Sequence, residues 1–145
     1  MYLFDQISVF VVNRPGRISR ITAILTEHNV DIRALSMVDT TDFSILRLIV
    51  DKPTEAEAAL KAKGLTVKKT AVIAPKLDDE PGSLHRMMER LRDSQIVVEY
   101  TYAMIPCRCD DACIILRVEN PQAAANILMA HGFKLMTQEE LPTRE

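Results

Sequence analysis

Apolar positions along this chain fall into short blocks whose period alternates between strand-like and helix-like. Gln6-Ile7-Ser8-Val9-Phe10-Val11-Val12 is a mostly apolar, β-branched run, the pattern of a buried strand. Asn13-Arg14-Pro15-Gly16 is a turn that leads into a helix. Proline is tolerated in a first helical turn, where its missing N–H would be unpaired anyway. Ile18, Ile21 and Leu25 then recur at helical spacing, with Arg17, Arg20 and Glu27 on the other side. His28-Asn29 stops that helix. Asp31 to Val38 reads as a strand, Asp39-Thr40-Thr41-Asp42 as a hairpin tip, and Phe43 to Val50 as the returning strand. Thr54-Glu55-Ala56-Glu57 predicts a capping box that opens a second helix. Lys63-Gly64 ends that helix with glycine at its C-terminus, and Leu65 to about Ala71 is a last strand. The order is βαββαβ.

The order then repeats. The four glycines are Gly16, Gly64, Gly82 and Gly132, and each has a partner at a shift of 66 or 68 positions. At the shorter shift Pro15-Gly16 falls on Pro81-Gly82, and Ile18, Ile21 and Leu25 fall on Leu84, Met87 and Leu91. At the longer one Leu48, Val50, Pro53, Ala56, Leu60 and Gly64 fall on Leu116, Val118, Pro121, Ala124, Leu128 and Gly132. The register changes between residues 104 and 111, around Pro106-Cys107-Arg108-Cys109, and a hairpin tip is a low-cost place for an insertion. Agreement at apolar, glycine and proline positions together argues for two copies of one fold.

Each copy has the split βαβ order of a ferredoxin-like unit, an antiparallel sheet with both helices on one face. The fold class is therefore α+β, with residues 1–71 as one domain and 72–145 as the other. A unit of about 70 residues is marginal alone. The two are expected to join their sheets side by side. Pro75 falls in the first strand of the second copy, an internal strand that needs its N–H groups, so a bulge is expected there.

Composition narrows the function classes. The 145 residues are 48% hydrophobic and 26% charged, which is globular rather than disordered. A formal charge of −2 gives no bulk pull toward nucleic acid or an acidic membrane. No apolar run approaches the roughly 20 residues of a membrane span. Met1-Tyr2-Leu3-Phe4-Asp5 does not read as a secretory signal, and three cysteines crowded between Cys107 and Cys113 are not a disulfide framework. A cytoplasmic protein with neither a nucleic-acid nor a membrane partner is expected. The central strands Ser44 to Val50 and Ala112 to Val118 carry no aromatic, unlike an RNA-recognition sheet.

Candidate chemistry lies in the loops after the first strands. A helix N-terminus offers unpaired N–H groups and partial positive charge, a seat for a carboxylate. Gly16 lets a ligand approach the backbone, and the Asn13 amide can both donate and accept. Asp31 can accept from an ammonium group. Together these suit a free amino acid; a plain strand-to-helix turn capped by Asn13 is the other reading of the same residues. The histidines His28, His85 and His131 have no partners suggesting a catalytic triad, so no catalytic residue and no cofactor are assigned. The spacing of Cys107, Cys109 and Cys113 matches no strong zinc pattern, and no metal site is assigned, yet soft-metal or redox sensing by that loop is the alternative function.

Asn13-Arg14-Pro15-Gly16, the Ile-x-x-Ile helix and Val30-Asp31-Ile32 resemble an ACT domain. The loop is similar to that of the serine-binding ACT domain of bacterial phosphoglycerate dehydrogenases, and residues 5 to 141 resemble stand-alone tandem ACT proteins. The resemblance implies regulatory binding of an amino acid or related metabolite, with ligand between the first loop of one ACT unit and the second strand of another. Carried onto this chain, the loop contacts are Asn13, Pro15, Gly16, Arg17 and Ile18, with Asp31 where serine-binding relatives have asparagine. Tyr100 and Tyr102 share one strand face with Val98 and Met104 and are expected to reach the ligand. A second, weaker pseudo-site comprises Gly82, Ser83 and Leu84 with Ala34 and Ser36, because Asp79 and Glu80 add carboxylates to its loop. A homodimer is expected, as is a separate amino-acid-metabolism enzyme as the regulated partner.

Overall fold

A computed structural model describes residues 2–12, 14–40, 42–105 and 112–141. The chain divides into two compact units, one of Asp5–Thr70 with Leu141, the other of Ala71–Glu140 with residues 2–4.

The first unit contains most of β1 (Leu3–Val12), then α1 (Arg17–Glu27), β2 (Ile32–Asp39), β3 (Phe43–Val50), α2 (Pro53–Ala62) and the start of β4 (Thr66–Ile73). Its sheet order is β2-β3-β1-β4. Ile7, Val9 and Val11 of β1 point to one face by alternation, as do Leu46, Leu48 and Val50 of β3. Against that face pack Ile21, Ile24 and Leu25 of α1 and Ala56, Ala59 and Leu60 of α2, and these residues make one buried core. Both helices therefore lie on one side of the sheet.

Register decides what lies near what. Val12 of β1 faces Phe43, and Asp39 at the end of β2 faces Ser44. The strands β1 and β2 thus end at the same edge of the unit. The loop leaving β1 and the last residues of β2 are neighbours, while Asp31 lies at the opposite end.

The second unit begins with the end of β4 and β5 (Lys76–Leu77), and continues with α3 (Ser83–Asp93), β6 (Val98–Ala103), β7 (Ala112–Val118) and α4 (Pro121–Ala130). The strand β7 pairs β6 on one side, and Ile73 and β5 on the other. The core joins Met87 and Leu91 of α3 and Ala124, Ala125 and Leu128 of α4 to Ile73, Leu77, Leu116 and Val118, with Tyr2 and Leu3 packed against it. Each unit carries an irregularity at the start of its second strand, between Ile32 and Ala34 and between Val98 and Tyr100. The duplication thus extends to a backbone detail.

Two sequence expectations are corrected. The strand through Pro75 has no bulge: Ile73 faces Leu116, and three residues on Lys76 faces Cys113, so register is kept. The Pro75 carbonyl accepts from Ile114 N at 3.1 Å, while the opposite edge meets Leu135 only as an isolated bridge. On that edge Lys76 N donates to Lys134 O and Met136 N to Ala74 O, both at 2.8 Å. Pro75 lies between them with its own nitrogen and carbonyl facing β7, so its missing donor costs neither of these two bonds. The capping box at Thr54 is also absent. The helix α2 starts at Pro53 after Lys52, with no side-chain cap. Pro53 is suited to the first helical position and draws the start forward. Thr54 Oγ1 instead accepts from Lys69 Nζ at 3.3 Å, and Glu57 pairs with Lys61 and Lys69.

The matching helix α4 does have a cap, Asn120 Oδ1 accepting from Ala123 N at 3.1 Å. Asn120→Ala is expected to cost about 1 kcal/mol and to lower the melting temperature by a few degrees. Lys52→Ala, at the uncapped equivalent, is the control.

Candidate functional site

The helix α1 opens on Gly16, which takes the left-handed conformation at φ 83°. Only glycine adopts this readily. The Gly16 carbonyl accepts from Arg20 N at 3.0 Å, and no acidic residue occupies the first turn of α1. Arg14, Pro15 and Gly16 are exposed, and Arg17 and Ile18 are half-buried.

A cavity of about 260 Å³ opens beside this loop. Gly16, Arg17 and Ile18 line it, as expected, joined by Arg14 and Ser19. Val11 and Val12 come from the end of β1, Met37 and Asp39 from the end of β2, and Ser44 from β3. Its walls differ in charge. The helix N-terminus, Arg14 and Arg17 supply positive charge, and neither arginine pairs with a carboxylate among the described residues. Asp39 supplies negative charge, and its Oδ1 accepts from the Ser44 hydroxyl at 2.5 Å, which fixes the carboxylate against a buried serine. Val11, Ile18 and Met37 provide apolar surface between them. The arrangement complements a small zwitterion with a compact apolar part.

Other expected residues lie elsewhere. Pro15 is in the loop but is not among the residues lining the cavity. Asn13 lies outside the described residues, as do Cys107 and Cys109. Asp31 stands at the start of β2, roughly 25 Å along the strand from Asp39 by the usual rise per residue. There it accepts from Arg33 Nη1 at 3.2 Å, and its own N–H donates to Asp51 Oδ1 at 2.8 Å. Within this unit the loop and Asp31 are not brought together. On the same strand Ala34 is buried and Ser36 half-buried. Tyr100 and Tyr102 belong to β6 of the second unit, half-buried on one face with rings stacked at 6.4 Å.

In the second unit Gly82 repeats the left-handed opening of its helix at φ 87°, and Leu84 is exposed. Glu80 pairs with Arg86 at 2.7 Å, and its carbonyl accepts from Ser83 N. Ser83 is buried. A carboxylate thus stands in the loop where the first unit has Arg14.

Asp39, Arg14 and Ser44 were not singled out by the sequence reading. The signal was present: in a βαββ order the first two strands run parallel, so the hairpin tip at Asp39 must return beside the first loop.

The model for an ACT domain pair matches residues 2–144. The chain belongs to the ACT domain pair family. Its fold is similar to that of protein BT0572 from Bacteroides thetaiotaomicron, at 27% identity over 97% of this chain and 98% of that one, with a TM-score of 0.88. The regulatory subunit of aspartate kinase from Thermus thermophilus shares the fold at 15% identity and TM-score 0.64, over 89% of this chain and 93% of its own. That from Thermus flavus does so at 13% and 0.56, over 90% and 96%. No curated protein matches. ACT units are regulatory, small-molecule-binding domains, and two of them account for the described chain. Among the described residues no helix is long and apolar enough to cross a membrane, and no cluster of His, Cys, Asp and Glu is arranged to hold a metal. Cys113, in β7, is half-buried with its thiol 3.5 Å from Ala74 O.

Proposed function

We propose that this ACT pair senses a free amino acid or closely related metabolite on the Gly16 loop. Binding then alters the protein's own association or its hold on a separate enzyme of amino-acid metabolism. The observation that carries the reading is the opposed charge of the first-unit cavity. A ligand carboxylate fits against the N-terminus of α1 with Arg14 and Arg17, and its ammonium group fits against Asp39. The cavity volume suits a ligand smaller than the drug-sized compounds that fill roughly 300–1,000 Å³. The name of the Thermus proteins, regulatory subunits of an enzyme, is in keeping with a regulatory role for this chain.

Asp31 enters the same reading only through a second copy, since its own loop is at the far end of β2. That strand has a neighbour on one side alone in the first unit, and Leu35 and Met37 on it are about half exposed, at 51% and 49%. An edge strand with apolar side chains invites pairing, which supports a homodimer formed through β2. Asn13 and Pro15 complete the proposed loop contacts, and Tyr100 and Tyr102 remain the proposed aromatic ones. The second loop, at Gly82, Ser83 and Leu84 with Ala34 and Ser36, is the weaker site because Glu80 repels a carboxylate.

A thermal-shift screen of the full chain against the twenty amino acids tests this. At ten times its Kd a ligand adds over 1 kcal/mol, from RT ln(1 + [L]/Kd). That raises the melting temperature by several degrees in a domain of this size. One or a few related hits are expected. Twenty blanks at about 10 mM each would remove the amino-acid reading, because millimolar binding would have shown.

A further inference from the structure

A second cavity, about 570 Å³, lies wholly within the second unit, between α3, β5 and the turn after α4. It borders the Gly82 loop, whose Ser83 lines it, and the matching place in the first unit is built differently. There Ile24 is buried in the core, and Arg20 Nη2 donates to Lys63 O at 2.9 Å, tying the helix to the matching turn. In the second unit Ile24 is replaced by Arg90 and Lys63 by His131. The matching Arg86 turns instead to Glu80 at 2.7 Å. Phe10 and Thr66 become Lys76 and Lys134. Arg90, Lys76 and Lys134 thus bring three cations to one place, while Val12 and Ala23 become the acids Asp78 and Glu89 of the same wall.

The charges are not balanced within the cavity. Lys76 is paired with Glu140 at 2.8 Å, and this holds the Glu140 carboxyl below its ordinary pKa. Of the acids that line the wall, Glu89 engages His85 and Arg92, and Asp93 engages Arg92, and neither His85 nor Arg92 lines it. Arg90 and Lys134 pair with no carboxylate among the described residues. Asp78, Glu89 and Asp93 are the acids of the same wall. The pairs on Arg86 and Lys76 are solvent-exposed and so worth at most about 1 kcal/mol each, which lets a stronger anion displace Glu80 and Glu140. Leu77 and Phe133 give the wall an apolar part, and the volume falls in the range of small-molecule sites.

We propose that this cavity binds a small organic dianion, a phosphomonoester or a dicarboxylate, with Arg90 and Lys134 as its primary contacts and Arg86 and Lys76 completing the cationic wall. The ACT pair then carries two chemically different sites, one for a zwitterion in the first unit and one for a dianion in the second. Two cations on one wall without a carboxylate partner among the described residues, Arg90 and Lys134, are what a dianion requires and what a packing role does not.

The test is a titration of the ¹⁵N-labelled full chain, in a non-phosphate buffer, with inorganic phosphate, with succinate and with acetate as the monoanion control. Saturable shifts of the Arg86, Arg90 and Gly132 amides are expected, with a Kd below about 10 mM, for at least one dianion and not for acetate. Phosphate alone would identify a phosphomonoester as the ligand type, and succinate alone a dicarboxylate. The exposed double variant Arg90→Gln/Lys134→Gln should bind at least tenfold more weakly, and Asp39→Asn should bind the dianion unchanged. The absence of saturable shifts for both dianions would overturn the proposal, as would a double variant that binds as tightly as the parent. A blank amino-acid screen leaves this titration untouched, so the two readings fail separately.

Discussion

Asp39→Asn is expected to weaken amino-acid binding by tenfold or more while leaving the melting temperature of the unliganded protein nearly unchanged. The substitution keeps the shape of the side chain and an oxygen that can still accept from the Ser44 hydroxyl, now bonded to Asp39 Oδ1 at 2.5 Å. It removes only the charge that would face the ligand ammonium. A hydrogen bond to a charged group contributes about 1.5–3 kcal/mol, and each 1.4 kcal/mol is about tenfold in affinity. Titration calorimetry should therefore give a Kd raised between ten- and a hundredfold, for whichever amino acid produces the largest thermal shift. Asp31→Asn is the informative comparison. If Asp31 meets the ligand from a second copy, both variants weaken binding. If Asp39 alone holds the ammonium group, Asp31→Asn binds normally. A normal Kd for Asp39→Asn would exclude the zwitterion orientation argued from the cavity.

Much of the fold was legible in the sequence because the repeat constrained it twice. Ile18, Ile21 and Leu25 could be noise in one helix, but the same spacing in Leu84, Met87 and Leu91 could not. Even so, Leu84 is 44% exposed where Ile18 packs against a core, so the repeat preserves element type better than environment. The misreadings were local and had local causes. At α2 two start signals competed, Thr54 and Pro53, and the proline took the first helical position. At Pro75 the missing donor matters at one position and not along the whole strand. Only one N–H is missing, on the side that faces β7, where the Pro75 carbonyl still accepts from Ile114 N at 3.1 Å.

The site was half legible for a different reason. Residues contiguous in sequence, Gly16 to Ile18, carry their own signal of turn and helix start. Asp39 carries none, because an aspartate in a hairpin tip is ordinary turn chemistry. It becomes a candidate only when the register places it across from Arg14 and Arg17. Asp31 drew attention through its charge and its place in the family pattern. Its partner Arg33 is two positions along the same strand, but the Asp51 carboxylate comes from beyond β3 and could not be read without pairing β2 to β3. The same limit hid the second cavity: Arg86, Arg90, Lys76 and Lys134 are scattered over 59 positions and converge only in the folded unit.

Gly16→Val is expected to abolish amino-acid binding and, separately, to lower stability, and the two effects can be divided. At Gly16 a Cβ would meet no atom within 4 Å, so there is no clash to unfold the unit. The cost is conformational: φ is +83° there, and a β-branched residue in the left-handed region loses roughly 2 kcal/mol. Gly64 provides the matched control. It has the same φ of +83° and the same empty surroundings, but it ends α2 and does not line the cavity. Gly16→Val and Gly64→Val should therefore lose similar stability, each several degrees in melting temperature. Only Gly16→Val should lose the ligand-induced thermal shift, because its side chain stands where the ligand carboxylate would approach the first turn of α1. Equal loss of binding in both variants would mean that general loosening of the unit, and not the loop, governs binding. Normal binding in Gly16→Val would place the amino acid elsewhere on the protein. On the proposed reading the glycine has two independent reasons to be glycine, a backbone conformation shared with Gly64 and an open approach for the ligand that Gly64 does not need.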